Sequence, residues 1–203
     1  FFHGIGLRRD FEEAAKWYRL AAEQGHAMAQ NNLGVMCARN MGVPRNFADA
    51  AKWYCKAAEQ GNAEAQFNLS VLCASGKGIP RDIAAAVKWS RMAAEKGHAK
   101  AQNNLALMLS EGTGVPRNPT KAADWFRKAA ERGNGEAQFN LGLMYAKGEG
   151  VSRDFVKAYM FADLAARQGN PTARKLCDCI FRNMTPDQVT EARKLVREWA
   201  HKK

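Results

Sequence analysis

The chain has 203 residues, 46% hydrophobic and 25% charged, a balance that excludes a disordered chain and suits one folded domain or one elongated array. No apolar run approaches the roughly 20 residues that cross a bilayer, which excludes a transmembrane segment in this stretch. The formal charge of +11 leaves two readings open: a partner that is acidic or a nucleic acid, or a solvated basic surface.

The chain opens on "FFHGIG", with neither an initiator Met nor a signal peptide. Residues 1–26 read as a partial repeat, mostly one helix, so the natural protein is expected to extend upstream. From residue 27 the chain repeats itself with a gapless offset of 36 residues. "GVPRN" at 42–46 falls on "GIPRD" at 78–82, "GVPRN" at 114–118 and "GVSRD" at 150–154. "AQNNL" at 29–33 falls on "AQFNL" at 65–69, "AQNNL" at 101–105 and "AQFNL" at 137–141. Four full units follow from this, 27–62, 63–98, 99–134 and 135–170, with a terminal segment at 171–203.

Each unit divides into two helices. In the second full unit, helix A runs near 63–75, with Ala65, Leu69 and Leu72 on one face. Helix B runs near 82–96, burying Ile83, Ala86, Val87, Trp89, Ala93 and Ala94. Alanines at 50, 86, 122, 158 and at 57, 93, 129, 165 let helices approach closely. The aromatics Trp17, Trp53, Trp89, Trp125 and Phe161 fill the layer beside them. Such a pair cannot bury its apolar face alone, so neighbours must stack. The expected fold is all-α, a right-handed α-solenoid of 36-residue helix-turn-helix units. After a last helix A near 171–182, "TPDQVTEARKLVREW" predicts a capping helix. Thr185 is its N-cap, Pro186 its first residue, Gln188 the reciprocal partner, and Lys and Arg its outer side.

The segment "GKGIPRD" at 76–82 invites a phosphate-loop reading, which the repeat excludes. A phosphate loop appears once, between strand and helix, whereas this turn recurs, and its Lys77 becomes Met41, Thr113 and Glu149. The glycines end one helix through left-handed backbone angles. Asp10, Asn46, Asp82, Asn118 and Asp154 then cap the next helix. Arg9, Arg45, Arg81, Arg117 and Arg153 recur beside them. Either they form a ladder for an acidic chain, or they bond the carbonyls ending the preceding helix or a neighbouring acid; the second is favoured. The first and third units carry "GHAMAQNN" and "GHAKAQNN", the second and fourth "GNAEAQFN" and "GNGEAQFN", an alternation over 72 residues.

The cysteines Cys37, Cys55, Cys73, Cys177 and Cys179 are odd in number and form no zinc motif. They read as small buried hydrophobes, with Cys37 and Cys73 at a core site shared with Leu109 and Tyr145. His26 and His98 occupy one position two units apart, too far to share a metal. His3 and His201 complete the set, and no nucleophile–base motif appears. No enzyme, metal or cofactor is expected.

The pattern A-x-A-Q-x-N-L-G-x-M-Y-x-x-G-x-G-V resembles the Sel1-like repeat. The best copy runs from Gly135 to Asn170, with Ala137, Leu141, Gly142, Met144, Tyr145, Gly148, Gly150 and Val151 in place. The resemblance covers residues 1 to about 182. It implies an adaptor or scaffold that binds proteins. In bacteria such proteins are often periplasmic or secreted, while unpaired thiols lean towards a reducing, cytoplasmic space. A cysteine-rich subgroup has a disulfide in each repeat; this chain departs from it.

Phasing helix A by Leu33, Gly34 and Cys37 places a second set of positions on an exposed concave side. They read Met28, Asn31, Val35, Ala38, Arg39; Glu64, Phe67, Val71, Ala74, Ser75; Lys100, Asn103, Leu107, Ser110, Glu111; and Glu136, Phe139, Leu143, Ala146, Lys147. Aliphatic and aromatic anchors beside amides suit a peptide, with Asn31 and Asn103 satisfying its backbone. Phe67 and Phe139 have an alternative role, leaning inward to pack adjacent helices. Binding of nucleic acid or another polyanion is the alternative function, although the sequence shows no known module and no aromatic–basic strip.

Overall fold

The computed structural model describes residues 11–201, which form eleven α-helices and no strand. The chain divides into two compact units, residues 1–98 and 99–203. The first holds α1 (Phe11–Glu23), α2 (Ala27–Arg39), α3 (Phe47–Glu59), α4 (Ala63–Ser75) and α5 (Ile83–Glu95). The second holds α6 (Ala99–Glu111), α7 (Pro119–Glu131), α8 (Gly135–Lys147), α9 (Phe155–Arg167), α10 (Pro171–Phe181) and α11 (Pro186–His201). Expectations for His3, Arg9 and Asp10, and for the His201 side chain, lie outside what is described.

In both units helices pack against their sequence neighbours, and α11 packs on α9. The alanines explain how closely. Ala50, Ala57, Ala86, Ala93, Ala122, Ala129, Ala158 and Ala165 are all fully buried, and the absence of longer side chains lets backbones approach.

The turns carry out the capping that the sequence predicts. Gly76 and Gly148 close α4 and α8 in the left-handed region, at φ 69° and 71°. Asn40 takes the same conformation at φ 58°, the one non-glycine residue with positive φ among those described. The next helix is then capped by a side chain. Asn46 accepts from Ala48 and Asp49 N–H, Asp82 from Ala85, Asn118 from Lys121 and Asp154 from Lys157. Each capping residue also donates its own backbone N–H to the preceding helix: Asn46 to Cys37, Asp82 to Cys73, Asn118 to Leu109 and Asp154 to Tyr145. The turn is therefore tied at both ends through its capping residue. Thr185 and Gln188 form the reciprocal cap of α11, at 3.0 and 3.3 Å.

One device was not anticipated. The glutamine of the recurring Ala-Gln pair is buried. Gln30, Gln66 and Gln138 donate through Nε2 to the carbonyls of Ala22, Ala58 and Ala130, at 3.0, 3.1 and 3.3 Å. Those carbonyls lie in the last turn of the preceding helix and also accept the backbone N–H of Gly25, Gly61 and Gly133, so each glutamine adds a second donor. Gln60 and Gln168 then donate to Gln30 and Gln138 at 2.7 and 2.8 Å. The glutamines thus tie successive helix ends together and give their own buried amides an acceptor.

The tryptophans depart from expectation. Phe161 is buried, but Trp53, Trp89 and Trp125 are half-buried and Trp17 is exposed. Ile83 is likewise only half-buried. The alanines already close the core, so the wide indoles lie across its rim.

Candidate functional site

The helix-A row divides between the two units. In the first, Met28, Arg39, Glu64, Val71 and Ser75 are exposed, while Val35, Ala38, Phe67 and Ala74 are half-buried. Met28 is 74% exposed and Val71 41%, a large apolar exposure for residues within ordered helices. In the second, Lys100, Glu111, Glu136 and Lys147 are exposed, and Leu107, Ser110, Phe139, Leu143 and Ala146 are half-buried.

Asn31 and Asn103 require correction. Both are buried, at 7% and 1% exposure, rather than exposed, and the Oδ1 of Asn103 has no hydrogen-bond partner. Asn31 accepts from Asn68 at 3.1 Å, and Asn103 donates to Glu136 at 3.1 Å. The helical phase turns these amides towards the adjacent helix, where a buried amide needs a partner. In this structure they brace the row.

Phe67 shows the inward packing of its alternative role in part. It stays half-exposed, yet one face stacks on His98 with ring centroids 4.8 Å apart. His98 also bonds Glu64 at 2.8 Å. The alternation of units acquires a physical meaning here. The His that closes this unit locks the Phe and Glu of the same unit's first helix. In the second compact unit the position equivalent to His98 is Asn170, which caps α10 through Thr172 and Ala173.

The arginines follow the structural reading where their contacts are seen. Arg81 and Arg117 donate through Nε to the carbonyls of Ala74 and Ser110, at 3.1 and 2.9 Å. Arg117 also pairs with Glu149. Arg153 lies over the Phe155 ring, 5.4 Å from its centroid.

An aromatic–basic juxtaposition that the sequence did not display is present on the second helices of the repeats. Lys56 lies 4.5 Å from the Trp53 ring and Lys88 5.7 Å from Trp89 in the first unit. In the second, Lys128 lies 4.3 Å from Trp125. The ammonium groups cover the exposed indole faces.

The cysteines are all free. Cys37, Cys73 and Cys177 are buried as expected, with Leu109 and Tyr145 buried at the same core site as the first two. Cys55 is half-buried and Cys179 exposed, so the reading of five buried thiols holds for three. Burial raises the Cys37 and Cys73 thiols and pushes Cys177 up to about 12. Burial, and next the hydrogen bond to Glu59, push Cys55 up to about 11. At neutral pH these four thiols are protonated and poor nucleophiles. Among the described residues no cluster of His, Cys, Asp and Glu could hold a metal, and no helix is long and apolar enough to cross a membrane.

A chain of paired, capped 36-residue helical units defines an all-α helical-repeat protein of the solenoid class. The Sel1 repeat model matches residues 1–26, 27–62, 63–98, 99–134 and 135–170, and the chain belongs to the Sel1 repeat family. Among solved structures it is similar to c5321, a protective antigen present in uropathogenic Escherichia coli strains and displaying an SLR fold. Identity is 36% over 99% of this chain, with a TM-score of 0.84, and the match spans 44% of that protein. It is also similar to a Sel1 repeat protein from Oxalobacter formigenes, at 38% identity, 82% of this chain, 72% of that one and TM-score 0.73. The cysteine rich protein B of Helicobacter pylori shares the fold, at 21% identity, 66% of this chain, 97% of that one and TM-score 0.51. No curated protein matches the chain. The neighbours' sources fit a bacterial origin. Sel1-repeat proteins are generally non-catalytic scaffolds for protein interaction.

Proposed function

We propose that this chain is a protein- or peptide-binding scaffold that takes its partner on the helix-A row. The observation that carries the reading is the exposed apolar surface of that row. Met28 and Val71 stand open beside the half-exposed Phe67, with Arg39 and Glu64 as polar flanks. The second unit offers a parallel set, Leu107, Phe139 and Leu143 with Lys100, Glu136 and Lys147. Apolar anchors with a charged rim suit a peptide whose side chains fill the gaps. Buried Asn31 and Asn103 hold the row in place, so the partner's backbone is recognised through side-chain packing.

The test is a capture experiment with the intact chain against the Phe67→Ala/Phe139→Ala double variant, followed by affinity measurement on whatever is captured. Loss of about tenfold or more, with unchanged helicity, is expected for central aromatic anchors. Equal affinity of the two proteins would refute the placement.

A further inference from the structure

A second candidate surface lies in the second unit, between α9 and α11. A cleft of about 470 Å³ is walled by Tyr159, Asp163 and Arg167 on one side and by Thr190, Arg193 and Arg197 on the other, with Val196 at its base. The spacing makes it. Residues 159, 163 and 167 recur every fourth position on α9, and 190, 193 and 197 lie at third and fourth positions on α11, so each set forms one stripe. Ala192 and Val196 are buried and dock α11, which turns its arginines to the cleft edge.

The charges are unevenly matched. Arg167 donates to Asp163 at 2.7 Å and is neutralised there. Arg193 lines the cleft with the Tyr159 hydroxyl, a neutral neighbour. Among the described residues no carboxylate pairs with Arg193 or Arg197. Two guanidinium groups one helical turn apart thus face a walled space whose one carboxylate, Asp163, is already held by Arg167, and such walls concentrate the field of the charges that line them. Burial, and next Asp163, raise the Tyr159 hydroxyl above its ordinary value, so at neutral pH it remains protonated and can donate to an anion. The Thr190 hydroxyl is occupied, donating to the Pro186 carbonyl at 3.0 Å.

We propose that the α9–α11 cleft binds a carboxylate-bearing peptide segment, held by Arg193 and Arg197. The planar guanidinium matches a carboxylate in a two-bond fork. Asp163, held by Arg167 through one oxygen, keeps its other oxygen to accept an amide N–H, which a peptide supplies and a phosphate lacks. A ligand with a carboxylate and neighbouring N–H groups satisfies both walls. The proposal rests on the peptide-binding reading for its class of ligand but uses a different face of the repeat.

The probe is a fluorescently labelled N-acetyl pentaglutamate, with pentaglutamine as its neutral counterpart, followed by fluorescence anisotropy at low salt. Arg193→Gln/Arg197→Gln should weaken pentaglutamate binding by about tenfold or more. Arg174→Gln/Lys175→Gln removes the same charge from exposed positions of α10 and should change it by less than about twofold. Circular dichroism establishes that both variants fold, and a cleft variant that unfolds is replaced by Arg197→Lys, which keeps the charge, loses the fork and should still weaken binding. N-acetylglycine, a carboxylate with an adjacent amide N–H, should displace the probe at lower concentration than inorganic phosphate. Equal losses in the two double variants, no preference for glutamate over glutamine, or stronger displacement by phosphate would overturn the proposal. Phe67→Ala/Phe139→Ala should leave probe binding intact, so failure of the helix-row reading and failure of the cleft are separable.

Discussion

The α2–α3 pair and the α8–α9 pair are the same repeat 108 residues apart, and they fill their cores in opposite ways. In the first, the large side chain comes from the second helix. Tyr54 is 4% exposed and faces the small Gly34 and Cys37. A Cβ on Gly34 would lie 2.7 Å from the Tyr54 ring. In the second, the large side chain comes from the first helix. Tyr145 is buried and stacks on Phe161 at 6.0 Å, while the position equivalent to Tyr54 is Ala162. A Cβ on Gly142 would meet the α9 backbone at Ala158 and Ala162, both at 3.1 Å. The repeat fixes a volume between its helices and leaves open which helix supplies it, as expected where packing density is the conserved quantity.

The largest expected effect tests that exchange. Tyr54→Ala should cost about 3–5 kcal/mol, because it leaves a cavity as well as losing burial. Adding Cys37→Tyr, the arrangement of the second pair, should recover at least half of the loss in urea unfolding. A double variant no more stable than Tyr54→Ala alone would show that the two packings are not interchangeable.

A smaller effect separates the units by their caps. Asn62 accepts from Ala65 N–H at 2.9 Å, and Asn134 from Ala137 at 2.8 Å. His26 at the equivalent place makes no side-chain cap bond. Asn62→Ala or Asn134→Ala should therefore cost about 1 kcal/mol. His26→Ala should stay within about 0.5 kcal/mol. Thermal or urea unfolding of the three variants decides it, and a His26 effect as large as the asparagine effects would contradict the assignment.

The smallest effect concerns the cysteines of α10, where a buried and an exposed thiol stand two residues apart. Cys179 should react with an alkylating reagent in the folded protein, and Cys177 only on unfolding. The Cys177 thiol is pushed up to about 12 from the ordinary 9.0. A raised value means the unfolded chain loses its proton first. The stability contributed is complete below pH 9 and declines as pH rises towards 12. Cys177→Ala should flatten the alkaline decline measured by urea unfolding, and an unaltered pH profile would exclude this thiol as a cause.

Much of the fold was legible because its signals are local. Helix limits near 63–75 and 82–96 were readable from apolar spacing, from Gly76 and from Asp82, and α4 and α5 fall at Ala63–Ser75 and Ile83–Glu95. The row positions were readable in part. Met28, Glu64 and Val71 are exposed as the phase implies, but Asn31 and Asn103 are not. A hydrogen bond from Asn68, or to Glu136, depends on a neighbouring repeat, and no periodicity within one helix reveals it. The glutamine relay escaped for the same reason. A polar residue in an apolar stripe reads as exposed until its acceptor on another helix is known.

The sequence alone determined the repeat, its length, its caps and the family, because each rests on residues a few positions apart whose backbone preferences act locally. Tertiary structure alone decided which polar side chains are buried and paired, which helix supplies the large core residue, and that Arg193 and Arg197 share a cleft with Asp163. Those outcomes depend on distances between helices, and burial makes the cost of an unpaired polar group large enough to choose among arrangements that the local sequence leaves equal.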